Sequence, residues 1–122
     1  MWLWWIVACS SGEESSSLIT VQLANDGPDP VNLIVDGELL DPLNLVAPFS
    51  SRSTPFAGEL TSEGDVLTLS IEVVAARDGV VLETRNEDAE IVGCAVDYAI
   101  GTLYWSWSGL ALEEGVHDLS CD

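Results

Sequence analysis

The chain has 122 residues, enough for one domain, and 48% of them are aliphatic, aromatic or cysteine, so a folded hydrophobic core is expected rather than disorder. Charge is lopsided: 21 Asp and Glu stand against three Arg (Arg52, Arg77, Arg85) and no Lys, a formal net of -18. Nucleic acid is excluded as a partner, because phosphate binding needs clustered Lys or Arg, and docking of the folded domain onto anionic headgroups is disfavoured for the same reason.

Residues 2–8, Trp-Leu-Trp-Trp-Ile-Val-Ala, are wholly apolar and stop at Cys9. As a helix such a stretch rises only about 10 Å, far short of a membrane span, and its length is at the lower edge for the apolar region of a signal peptide. Ile6-Val7-Ala8-Cys9 resembles the lipobox of bacterial lipoproteins, in which aliphatic and small residues precede an invariant cysteine. The resemblance implies that residues 1–8 are a signal peptide to be removed. It further implies that Cys9 becomes the lipidated N-terminus and that the membrane is reached through its acyl chains, since several chains anchor stably where one is marginal. In such lipoproteins Ser directly after the cysteine, here Ser10, is compatible with delivery to the outer membrane. The competing reading makes residues 2–8 a buried strand with three core Trp residues.

Residues 10–17, Ser-Ser-Gly-Glu-Glu-Ser-Ser-Ser, contain nothing apolar and read as a flexible tether reaching roughly 16 Å, so residues 9–17 form a lipidated cysteine plus tether. From Leu18 to Asp122 the pattern is that of one β domain. Ile19, Val21 and Leu23 share one strand face, and Val31, Leu33 and Val35 repeat the alternation before an Asp36-Gly37 turn. Between them, Asn25-Asp26-Gly27-Pro28-Asp29-Pro30 is a loop on its glycine, prolines and turn-forming Asn and Asp. Pro42, Pro48 and Pro55 break the middle of the chain into short edge-type pieces.

A hairpin is predicted next. Leu67, Leu69, Ile71, Val73 and Ala75 line one face of a long strand, and Asp78-Gly79 is a two-residue turn. That loop pairs Arg77 with Val80, and by simple counting Ala75 with Leu82 and Val73 with Thr84. Further strands are predicted over 91–98, 102–108 and 116–121. Seven to eight short strands imply an all-β antiparallel sandwich, immunoglobulin-like or related, without the Cys…Trp…Cys spacing of true immunoglobulin domains. With Cys9 assigned to lipid, Cys94 and Cys121 remain, each alternating with apolar neighbours. In an exported chain such a pair reads as a disulfide, worth roughly 3–4 kcal/mol by loop closure, with two buried thiols as the alternative.

Catalytic signatures are sparse, and no enzyme is expected. His117 sits beside Asp118, but adjacent strand residues point to opposite faces, so a surface histidine is the reading. No phosphate-binding glycine loop or nucleophile elbow occurs. No cofactor is expected; Ca²⁺ is the one ion the acidity suits, and neither Asn25–Asp29 nor Asn86–Glu90 has the spacing of a known calcium loop. One constellation bears on ligands: Tyr104-Trp105-Ser106-Trp107-Ser108, where Trp105 and Trp107 share a face and could stack on sugar rings if exposed, with Tyr104 opposite. The leading expectation is therefore a lipid-anchored envelope protein with a non-catalytic interaction or structural module. The alternative is a carbohydrate-binding module using Trp105 and Trp107.

Overall fold

A computed structural model describes residues 17–93 and 99–121. Residues 1–8, read above as a signal peptide, Cys9, most of the segment read as a tether, and Cys94 lie outside these described residues. Among the described residues, ten strands form two packed five-stranded sheets, so the expected β-sandwich is present with more strands than alternation suggested.

The first sheet is built on β1 (Ser17–Asn25). It lies between β4 (Ser50–Pro55), antiparallel, and β8 (Ala99–Trp107), parallel from Ser17↔Ala99 to Asn25↔Trp107. Parallel pairing departs from the all-antiparallel expectation: β1 and β8 are far apart in sequence, and the whole second sheet is threaded between them. The other edge of β8 carries β9 (Leu112–Glu114) and β10 (Asp118–Cys121) end to end. Pairing Trp105 with Glu114 but Thr102 with Asp118 leaves one extra residue on the 112–121 side, a β-bulge at 115–117. Gly101 makes the β10 pairing possible, because a side chain there would lie 2.0 Å from the Asp118 carbonyl oxygen and its φ is +143°.

The second sheet is organised by β6 (Val66–Arg77). One of its edges pairs with β5 (Glu59–Glu63) and, further along, with β2 (Val31–Val35), which carries the two-residue β3 (Leu45–Val46) outside it. The other edge pairs with β7 (Val80–Val92). Predicted turns fall where Asp-Gly demands them: Asp36 and Gly37 have φ of 49° and 80°, Asp78 and Gly79 have 54° and 80°.

The hairpin register differs from the counted one. Arg77 does pair with Val80, but Leu82 bulges out, so Ala75 faces Glu83 and Val73 faces Arg85. This extra residue flips the rest of β7. Leu82 is left in solvent, Ala89 and Ile91 reach the core, and Glu83 and Arg85 turn inward. β7 also continues through Ile91 and Val92, so the start of the expected strand at 91–98 is the end of the hairpin arm.

Between the sheets lies one apolar core. β1 contributes Ile19, Val21 and Leu23, β2 contributes Val31, Leu33 and Val35, β6 contributes Leu67 to Ala75 at alternate positions, and β8 contributes Leu103, Trp105 and Trp107. At about 1.5–3 kcal/mol for each large side chain removed from water, this burial is the main force closing the sandwich. β2 is buried on both faces, including Asn32 and Ile34, because the segment after it folds back over its outer side.

Candidate functional site

Trp105 and Trp107 are core residues, 2% and 3% exposed, which corrects the sugar-stacking expectation: an indole sealed between two sheets offers no face to a ligand. Their period-two spacing with Leu103 put them on β8's inner face. Arg85 crosses from β7 to lie 5.4 Å from the Trp105 ring centroid, in cation–π range. Its guanidinium also donates to the Leu112 carbonyl (3.1 Å) and pairs with Glu87 (2.7 Å), while Glu83 accepts from the Leu112 amide at 2.6 Å. Two side chains of β7 thus occupy the outward backbone groups of Leu112 as a neighbouring strand would, closing that side of the sandwich. The Glu87 pairing, together with Glu83 and Glu114 nearby, raises the Arg85 pKa, so its charge is permanent.

Tyr104 faces the opposite way, at the centre of the first sheet's outer surface. Registers place Gln22 and Ser53 beside it, with Thr20 and Thr102 in one flanking row and Ala24, Ser51 and Ser106 in the other. The rows are neutral across β4, β1 and β8 and end on two exposed acids, Asp118 beside Thr102 and Glu113 beside Ser106. Behind this face, His117 is not the free surface histidine expected from its neighbour Asp118. It lies in the bulge, its side chain 14% exposed. Its Nδ1 accepts the Tyr104 backbone N–H at 3.0 Å, taking the place of a ladder carbonyl. Since an amide can only donate, the ring proton sits on Nε2, which donates to Glu114 at 2.6 Å. Sequence alternation missed this because a bulge breaks it.

The acidic stretches do not converge on a site. On β7, Glu87 turns inward to Arg85 while Asn86, Asp88 and Glu90 are exposed. Asn25 is fully buried: its Nδ2 donates to the carbonyls of Asp29 (2.8 Å) and Val46 (3.0 Å), and its Oδ1 accepts from Gly27 N–H (2.9 Å). It ties the 26–30 loop to both sheets rather than binding an ion. Among the described residues, no group of three or more His, Cys, Asp or Glu is placed to hold a metal. An open groove of about 950 Å³ does run along the second sheet's outer face, lined by Asp36, Glu59, Ser70, Glu72, Asn86 and Asp88 among others. In it, Asp36 Oδ1 accepts from Glu72 N–H at 3.0 Å while Oδ2 is buried without a partner. Burial pushes the Asp36 carboxyl pKa up, opposed by nearby backbone amides and helped by Glu72 and Glu38.

The flank where β3 meets β4 contrasts with this acidity. Arg52 on β4 reaches across to donate to the Leu33 carbonyl (3.0 Å) and forms an ion pair with Glu38, whose carboxylate also accepts from Val35 N–H and Thr54. Beyond Glu38, the segment is internally tied: Asn44 donates to the Leu39 carbonyl, its Oδ1 accepts from Asp41 N–H and Asn32, and Asp41 caps Leu43 N–H at 2.6 Å. Asn32 and Asn44 are turned inward and the leucines outward, with Asp41 exposed among them, and no sequence periodicity announces it. Leu39 is 82% and Leu43 86% exposed, with Leu40 and Leu45 about half exposed.

Comparison with protein-family models, with curated proteins and with solved structures returned no match for this chain.

Proposed function

We propose that the chain is a lipid-anchored protein of the bacterial cell envelope, attached through Cys9, whose β-sandwich is a non-catalytic interaction or structural module. One observation carries the reading: the lipobox-like Ile6-Val7-Ala8-Cys9 is followed by an uninterrupted polar run that leads straight into β1. That strand is hydrogen-bonded on both sides, to β4 and β8, along most of its length. A tether entering the fold through a doubly paired strand pulls along two ladders at once, a sound way to fasten a domain to a membrane. Ser10 favours delivery to the outer membrane.

The disulfide between Cys94 and Cys121 belongs to the same proposal. Cys121 ends β10 opposite Ala99, on the core side, and the chain joining Cys94 to Ala99 is short. An oxidising compartment suits such a bridge, which would fasten the last strand. The anchoring is tested by fatty-acid labelling and membrane fractionation of wild type and Cys9→Ala. Label and membrane association lost in the variant support the proposal; unchanged labelling and location reject it. Thiol alkylation before and after reduction tests the bridge.

A further inference from the structure

Tyr104 commits both of its main-chain hydrogen-bonding groups to the 115–117 bulge. Its carbonyl accepts the Gly115 N–H at 2.7 Å, and its N–H donates to His117 Nδ1 at 3.0 Å. The second bond differs in kind from the ladder bond it replaces. A backbone carbonyl accepts at every pH, whereas a ring nitrogen accepts only while it carries no proton. His117 is the chain's single histidine, and histidine is the side chain that changes charge between about pH 5 and 8. An Asn at this position could offer an acceptor with no such dependence.

The charges around the ring pull the other way. From β9 come Glu114, whose carboxylate accepts from Nε2 at 2.6 Å, and Glu113; β10 adds Asp118. From β7 comes Arg85, near enough to Glu114 to feel its charge, together with Glu83 and Glu87. β8 offers Tyr104, and β1 beyond it brings only the neutral Thr20, Gln22 and Ala24. Carboxylates therefore outnumber the one guanidinium and favour a positive ring, while the Tyr104 amide forbids a proton on the nitrogen that faces it. Two donors cannot share that bond, so an imidazolium has to leave its seat.

We propose that His117 is a proton-operated latch on the β9–β10 edge: neutral, it pins the bulge to β8, and protonated, it swings out beside Glu114 and frees the bulge. The ladders on either side are short, three residues in β9 and four in β10, so the bulge is weakly held once the ring departs. A bridge at Cys121 would hold the far end of β10, which confines the change to β9 and the bulge. Opening uncovers the main-chain groups of β8 around Tyr104, an unpaired strand edge. Because the Nδ1 proton is accepted only by the released ring, acidification favours release, by up to about tenfold per pH unit. The inference does not rest on lipid attachment at Cys9, whose labelling is a separate measurement.

The test is amide exchange by NMR on the full 122-residue chain in non-ionic detergent, with His117→Asn alongside. Protection factors at Tyr104 and Gly115 are expected to fall about tenfold or more between about pH 7.5 and 5, while those of β1 and β6 hold. Ring ¹⁵N shifts should show the proton on Nε2 alone at the upper pH and on both nitrogens at the lower. In His117→Asn the pH dependence at Tyr104 should vanish. Constant protection in the wild type overturns the proposal, as does a protonated ring with the Tyr104 amide still protected. A fall that persists in His117→Asn overturns it in favour of the surrounding carboxylates. Loss of the near-ultraviolet circular dichroism of Trp105 and Trp107 over the same range overturns it in favour of general acid unfolding.

Discussion

Asn25→Asp changes one atom of a fully buried side chain without changing its shape, so it isolates the electrostatics of the 26–30 loop. In the wild type Nδ2 donates to two carbonyls, Asp29 at 2.8 Å and Val46 at 3.0 Å. In the variant an acceptor faces both, with no hydrogen left to share, while the bond from Gly27 N–H to Oδ1 is kept. Leaving a buried acceptor unsatisfied costs about 1–3 kcal/mol, and here there are two, plus a desolvated carboxylate. A loss of about 3–5 kcal/mol is therefore expected at pH 7, a large part of the 5–15 kcal/mol that holds a typical domain. Urea unfolding followed by near-ultraviolet circular dichroism of the buried Trp105 and Trp107 reads it. With a slope of about 1–2 kcal/mol/M, the midpoint should fall by about 2 M. The introduced carboxyl is desolvated, so its folded pKa lies above its unfolded value. Its penalty is full above the folded pKa and fades as pH falls toward the unfolded one, so the gap to wild type should narrow near pH 4. A midpoint within about 0.5 M of wild type at pH 7, or a gap indifferent to pH, would show that the two Nδ2 bonds do not hold the loop.

Asp36→Asn should stabilise at neutral pH, because burial disfavours the charged Asp36 and Asn tolerates its φ of 49°. Since the folded pKa of Asp36 is raised, the wild-type penalty is present at pH 7 and disappears on acidification; melting curves at pH 7 and 4 should converge, and parallel curves would count against it. Gly101→Ala places a methyl on the Asp118 carbonyl and should strip β10 from β8, read as lost amide-exchange protection at 118–121; retained protection contradicts the geometry. Arg52→Ala leaves Glu38 and the Leu33 carbonyl without their shared donor across the sheets and should cost about 2–4 kcal/mol by urea unfolding, with a loss under about 0.5 kcal/mol showing the pair to be idle.

Alternation made much of this fold readable. The inward residues of β1, β2, β6 and β8 were all visible as period-two runs, and both Asp-Gly turns fell in place, because burying one face of a strand leaves that imprint directly in the sequence. What was illegible arose where an extra residue breaks the period. The Leu82 bulge moved Arg85 and Glu83 from the solvent face to the inner one, and the 115–117 bulge turned His117 from a surface residue into a ladder acceptor. Whether a tryptophan is core or platform cannot be read from its spacing, since both uses share one face; only the sheet opposite Trp105 and Trp107 decides it. The leucine flank was hidden for a third reason: it is held by Asn32, Asp41 and Asn44 through contacts between different segments, not by any local pattern.

The proposed anchoring through Cys9 is read from the intact mass of the chain recovered from bacterial membranes. The expected species is a polypeptide lacking residues 1–8 and beginning at Cys9, heavier than that sequence by a diacylglyceryl group and an amide-linked acyl chain. A mass in which Trp2 to Ala8 remain attached, or in which Cys9 carries no lipid, would contradict it.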